Sequence, residues 1–233
     1  MSCYYSYIMA IVNMIQNKYL GYFKKHYHAK FSAEDIESSQ KWLYPQWKLI
    51  KEKTTLSKKS KVLEIGAGFG GFYSYLSQVI EGNSYTGIEL DKEVVKFCKD
   101  FFKTGNFTNI SIERFNSKNK FNYIFAFEVL EHLNDPFETI GKIHSLLDKT
   151  GVFVGTSPYP YLKNVFADRT HRYVLHPVNW TKLFIEAGFK HVSIYPMSFI
   201  PFIWRLNKHL NFRIPFYIPF NGFISTALII ASK

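Results

Sequence analysis

The sequence predicts a doubly wound α/β fold on a parallel sheet, and three observations predict it. Short apolar runs of strand type alternate with segments of helical spacing through the middle of the chain. The first run, Val62-Leu63-Glu64-Ile65, opens into the glycine-rich stretch Gly66-Ala67-Gly68-Phe69-Gly70-Gly71. The chain has 233 residues, 47% hydrophobic and 20% charged, which suits one ordered domain with an appendage and a sizeable core.

The elements follow in order. A helical cap is expected over residues 1–57, with Ser32 as an N-cap before Glu34 and Asp35, and with Pro45 kinking or dividing the helix that runs to Ile50. Residues 58–233 form the main domain. After the first strand comes a helix over Phe72–Ile80, a strand over Ser84–Glu89 and a helix over Glu93–Phe102. Ile110–Arg114 reads as the third strand and Tyr123–Phe127 as the fourth. Asp135 and Pro136 start a helix that presents Phe137, Ile140, Ile143 and Leu147 on one face. Val152–Gly155 is the fifth strand, and Asn179–Ala187 is a helix closed by Gly188. Two more strands, Phe189–Tyr195 and Thr226–Ser232, flank an aromatic insertion at residues 196–223.

Charge is unevenly placed. The formal net charge is +11, yet residues 61–186 hold equal numbers of each sign. Residues 1–60 carry ten Lys against four acids, and residues 187–233 carry five Lys/Arg and no acid. Such flanks suit nucleic acid, an anionic small substrate or a membrane surface, or simply a solvated face. Two cysteines, Cys3 and Cys98, provide neither a disulfide framework nor a Cys-based zinc site, and a cytoplasmic setting is expected. No secretory signal is expected in residues 1–17. The uncharged stretch Ile214–Ser232 is broken by Pro215, Pro219 and Gly222, so no transmembrane segment is expected, though peripheral membrane contact is.

Gly66, Gly68 and Gly71 fit G-x-G-x-x-G, where glycine lets the backbone approach a ligand at a helix N-terminus. The pattern alone also suits a packing turn or an NAD-type site. Glu89 ends the second strand 23 residues after Gly66, placed to accept both hydroxyls of a ribose. Glu64 would oppose a pyrophosphate but suit a cationic amino-acid tail, which points to S-adenosylmethionine.

Val62–Gly70, Gly87-Ile88-Glu89, Phe121–Ile124, Glu128–His132, Thr170–Tyr173 and Ala187–Phe189 together resemble the class I S-adenosylmethionine-dependent methyltransferases of type 11/23. The resemblance implies a Rossmann-like seven-stranded sheet with an antiparallel last strand. It implies that Glu64, Gly66 and Gly68 shape the methionine pocket, Glu89 binds the ribose, Leu90 packs on the adenine and Asn116 contacts its amino group. Ala67, Gly70 and Phe127 complete the implied cofactor set. Where this family usually has Asp, Asn122 stands.

Glu128, Glu131 and His132 occur at i, i+3 and i+4, so a helical turn would project them to one side. Two carboxylates and an imidazole suit a divalent ion such as Mg²⁺. The Glu-x-x-Glu-His pattern resembles ubiquinone-biosynthesis O-methyltransferases and plant-type small-RNA 2′-O-methyltransferases. The latter imply a metal on Glu128, Glu131, His132 and a later His, for which His171 is the candidate. Without a metal, His132 or His171 serves as general base, and a structural role is a further alternative.

No Asn-Pro-Pro-Tyr tetrapeptide or Pro-Cys nucleophile is present. The expected reaction is O-methylation of a small, lipid-linked or glycan-type acceptor, with an anionic character suggested by the basic flanks. The alternatives are RNA 2′-O-methylation and a non-catalytic S-adenosylmethionine-binding subunit.

Overall fold

The structure is a computed structural model that describes residues 31–161, 168, 170–200, 207–218 and 223–233. In chain order the helices and strands are α1 (Ala33–Lys53), β1 (Val62–Ile65), α2 (Gly71–Leu76), β2 (Tyr85–Glu89), α3 (Lys92–Phe101) and β3 (Asn106–Asn109). They continue with β4 (Phe121–Phe127), α4 (Pro136–Leu146), β5 (Leu147–Pro158), α5 (Pro177–Glu186), β6 (His191–Phe199) and β7 (Ile224–Ser232). The seven strands form one sheet in the order β3-β2-β1-β4-β5-β7-β6. Pairing is parallel from β3 to β5, and β7 runs antiparallel between β5 and β6. This is the α/β, Rossmann-like architecture of the class I methyltransferases.

Successive strand residues point to opposite faces, and both faces are apolar, so the sheet is buried on both sides. Val62, Tyr85, Phe125, Val154 and Leu228 pack with α1, α2 and α3. Leu63, Ile88, Ile124, Phe153 and Ile229 pack with α4 and α5. Many of the aromatic side chains lie in the first layer. There Phe72 is 4.7 Å from Phe125 and 4.6 Å from Phe127, and Trp47 stacks on Tyr75 at 5.7 Å. Gly71 lets α1 come close, because a Cβ there would lie 2.3 Å from Ser39 Oγ and 3.1 Å from the Gln40 nitrogen.

Ser32 caps α1 reciprocally: its hydroxyl accepts from the Glu34 N–H, and Asp35 accepts from the Ser32 N–H. Pro45 does not divide α1. It removes the N–H that would bond the Lys41 carbonyl, and the side-chain amide of Asn211 donates to that carbonyl instead, at 2.8 Å. Asn122 accepts from the Lys61 N–H and donates to the Asp148 carboxylate. An aspartate there could not donate and would face Asp148.

The third strand is Asn106–Asn109, not Ile110–Arg114. Only Phe107 of its four residues is buried, so its apolar signal is weak. The Ile110/Ile112 alternation belongs to a segment that turns, with the Arg114 and Phe115 N–H groups donating to the Ser111 carbonyl. Phe137, expected on the buried face of α4, is 50% exposed. Residues 1–30, with the uncharged N-terminal stretch and Cys3, lie outside the described residues, as do Phe202, Trp204, Arg205, Phe220 and Arg169. Among the described residues, no helix is long and apolar enough to cross a membrane.

Candidate active site

A cavity of about 540 Å³ opens at the carboxyl ends of β1, β2 and β4, the place where open α/β sheets bind ligands. Glu64, Gly66, Ala67, Gly68, Glu89, Leu90, Phe127, Glu128, Glu131, His132 and His171 all line it. Gly66 and Gly68 take φ of 69° and 49°, left-handed values that side chains disfavour. A Cβ on Gly66 would lie 2.6 Å from Val129 Cγ2, whereas one on Gly68 would meet nothing within 4 Å. The loop is therefore tight on one side and open on the other.

Two expected cofactor residues lie elsewhere. Gly70 is absent from the cavity lining; it is the N-cap of α2, with φ 73°, and a Cβ there would strike Phe102 at 2.4 Å. Asn116 faces a separate polar cleft with Lys59, Lys61 and Asn83. The reason is the displaced third strand. The residues that leave β3 are Ile110–Arg114, and these line the cavity in place of Asn116.

Glu89 is buried and already oriented by the backbone. Oε2 accepts from the Gly68 N–H at 3.0 Å, and Oε1 accepts from the Leu90 and Asp91 N–H groups at 2.6 and 3.1 Å. Burial raises its pKa, and these donors oppose the rise. Glu64 is 3% exposed, and the Tyr85 hydroxyl donates to it at 2.5 Å. Burial pushes its carboxyl up to about 8, the Tyr85 bond lowers it and the Glu89 charge raises it. A cationic ligand group beside Glu64 would restore the ionised form.

The acid–histidine cluster is rearranged relative to the helical expectation. Glu128 has a φ of 52°, the one positive value among described non-glycine residues, and Leu130–His132 forms a short 3₁₀ turn. Glu128 therefore shares the cavity and acts electrostatically on Glu131 and His171, but it does not join the close ligand group. Its N–H donates to Thr156 Oγ1 at 3.0 Å, and its carboxylate accepts from Thr226 Oγ1 at 3.0 Å.

The side chains that converge are Glu131, His132 and His171, each offering one ligand atom within 4.8 Å of the others. Glu131 is fully buried, and among the described residues neither carboxyl oxygen has a side-chain hydrogen-bond partner. Burial holds its pKa well above the usual carboxylate range, and the nearby Glu128 adds to the rise. His132 Nδ1 lies 3.2 Å from the Thr170 carbonyl, which can only accept, so Nδ1 carries the proton and Nε2 the lone pair. That Nε2 is 3.8 Å from Glu131 Oε1. Burial lowers the His132 pKa, which favours the neutral ring. Asp168 receives hydrogen bonds from Thr170 N–H and Oγ1, fixing the loop that carries His171.

A buried carboxyl without donors costs about 1–3 kcal/mol, so this trio suits a positively charged guest. Two imidazoles and a carboxylate are a donor set for a divalent ion, and the Nδ1–H···O=C bond on His132 is the support that metal-ligating histidines usually have.

Several lining residues carry no local signal in the sequence. Ser39, Trp42 and Leu43 reach the cavity from α1, and behind the lining Thr226 bonds Glu128 from 98 residues further along the chain. Thr156 and Thr226 look like ordinary strand threonines until the β5–β7 pairing places them beside the end of β4.

A methyltransferase-domain family model matches residues 39–194, about two thirds of the chain. The chain is 31% identical over 131 residues to ribosomal RNA small subunit methyltransferase A of Malacoplasma penetrans, covering 55% of this chain and 44% of that protein. It spans less than half the length of the curated relatives it matches. Among solved structures it resembles an S-adenosylmethionine-dependent methyltransferase of Thermotoga maritima, with a TM-score of 0.66 at 12% identity over 94% of this chain and 98% of that one. It also resembles one of Archaeoglobus fulgidus, with a TM-score of 0.59 at 20% identity over 83% and 94% of the two chains. At these identities the structures speak for the fold, and the family match speaks for the activity. The chain belongs to the methyltransferase-domain family and has the fold of the class I S-adenosylmethionine-dependent methyltransferases.

Proposed function

We propose that this enzyme methylates a hydroxyl group of a small, lipid-linked or glycan-type acceptor, activated at the Glu131–His132–His171 trio. The single observation that carries the reading is the fully buried Glu131 carboxyl, without a side-chain hydrogen-bond donor among the described residues, beside two imidazoles in the cavity.

Bound S-adenosylmethionine would supply an electrophilic methyl group that an oriented acceptor oxygen can take, with the thioether S-adenosylhomocysteine as leaving group. Glu89 would hold the ribose hydroxyls and Glu64 the cationic amino group, while Gly66, Ala67 and Gly68 admit the backbone close to the ligand. Leu90 and Phe127 flank the ring systems. The adenine contacts expected of Asn116 fall to the Ile110–Arg114 segment, which lines the cavity. Glu131, His132 and His171 would hold a divalent ion such as Mg²⁺, which supplies Lewis acidity to an acceptor hydroxyl. Glu128, tied to Thr226, lines the same cavity beside the trio. The base-rich, acid-free C-terminal segment favours an anionic acceptor or an anionic surface that presents it.

The test is transfer of a labelled methyl group to fractionated extract, with EDTA and then with Mg²⁺ or Mn²⁺ restored. The reading expects an O-methylated product whose formation stops on chelation and returns with metal. Label on nitrogen or carbon would overturn O-methylation, and indifference to chelation would remove the metal. The similarity to a ribosomal RNA methyltransferase favours a second reading, which ribonuclease-sensitive label would establish instead.

A further inference from the structure

Residues 207–218 form a strap between β6 and β7 with an uncommon combination of a fixed backbone and outward apolar side chains. Asn211 is buried and donates to the Lys41 carbonyl of α1. Ile214 exchanges two backbone hydrogen bonds with Ser198, both at 3.0 Å. Ser198 Oγ donates to the Phe216 carbonyl at 2.7 Å, and Ser225 Oγ donates to the Ile218 carbonyl at 3.2 Å. The strap is thus anchored every few residues, yet Leu210, Phe212 and Phe216 are 47%, 57% and 59% exposed.

Isolated exposed apolar side chains need no explanation, but several on one anchored segment mark an interaction surface. Topology widens the patch. β6 ends and β7 begins at the end of the sheet where the cavity opens, and the exposed Phe137 and Val178 start α4 and α5 at that same end. Residues 196–223 hold Arg205, Lys208 and Arg213 and no acid, with Arg213 between the two exposed phenylalanines. Apolar side chains beside a cation, on a segment without acids, match the boundary between acyl chains and anionic headgroups. An aliphatic Leu210 would add little to base stacking, which argues against RNA as the occupant.

We propose that this strap docks the enzyme on a bilayer surface bearing anionic lipid, with Leu210, Phe212 and Phe216 entering the apolar boundary and Arg213 meeting the headgroups. The proposal deepens the lipid-linked acceptor reading and rests on it, since the docked face is the one where the cavity opens.

The test is flotation of the full chain with phosphatidylcholine vesicles, with and without phosphatidylglycerol. The expected result is binding that needs the anionic lipid. It falls at least about tenfold in Phe212→Ser/Phe216→Ser and about fivefold in Arg213→Ser. Calorimetric S-adenosylmethionine binding should be unchanged in these variants, which shows that they are folded. No flotation with anionic vesicles, equal flotation of parent and double variant, or retardation of RNA without flotation overturns the proposal. Flotation by an enzyme that methylates nitrogen, or an RNA instead of a small acceptor, would uphold the surface while refuting the proposed reaction, so the two readings fail separately.

Discussion

Asn211 supplies the hydrogen bond that Pro45 withholds from Lys41. The proline sits inside α1 and leaves the Lys41 carbonyl without its helical partner, and the Asn211 amide, 170 residues further on, donates to it at 2.8 Å. The same stretch of α1 carries Ser39, Trp42 and Leu43 into the cavity, so a residue of the aromatic insertion stabilises part of the cavity wall.

Replacing Asn211 by Ala should cost about 1 kcal/mol, because a part-buried carbonyl loses its hydrogen bond. In a Pro45→Ala background the restored N–H takes over, and most of that cost should vanish. Urea unfolding of the four proteins in a double-mutant cycle measures this coupling, and additive losses would show that Asn211 does not compensate Pro45.

Glu64 predicts a pH dependence of stability. Its carboxyl titrates near 8 in the fold against 4.5 ordinarily, so between those values the folded state binds the extra proton. Stability therefore falls as pH rises through this window, by at most about 1.4 kcal/mol per pH unit. Glu64→Gln should flatten that part of the profile. Unfolding free energies from about pH 5 to pH 8 check it, and identical slopes in parent and variant would contradict it.

Glu131 predicts metal-linked stability. Mg²⁺ or Mn²⁺ at about a hundredfold excess over Kd should stabilise the parent by ~2.7 kcal/mol. Glu131→Gln should lose that response. Without metal the same variant should be as stable as the parent or more so, since its side chain has no buried charge to form. Thermal unfolding with and without metal reads both, and an unchanged Tm in the parent would exclude the site.

What the sequence discloses follows from how local each signal is. The strand–glycine–helix junction, Glu64, Glu89 and the Asp135-Pro136 helix start are contiguous patterns, and the fold places them as expected. Asn116 went astray because β3 has one buried residue in four, so the apolar Ile110–Arg114 segment looked more like a strand than the strand did. The set Glu128, Glu131 and His132 rested on helical spacing, which the left-handed Glu128 breaks. Its cause, the pull of Thr156 and Thr226, exists only after β5 and β7 have paired.

The central claim is that the cavity at the ends of β1, β2 and β4 holds S-adenosylmethionine, with Glu89 on the ribose. Isothermal titration with S-adenosylmethionine tests it most directly. The account predicts saturable binding by the parent and a loss of about tenfold or more in affinity for Glu89→Ala. No binding by the parent, or an affinity that Glu89→Ala leaves unchanged, would contradict it.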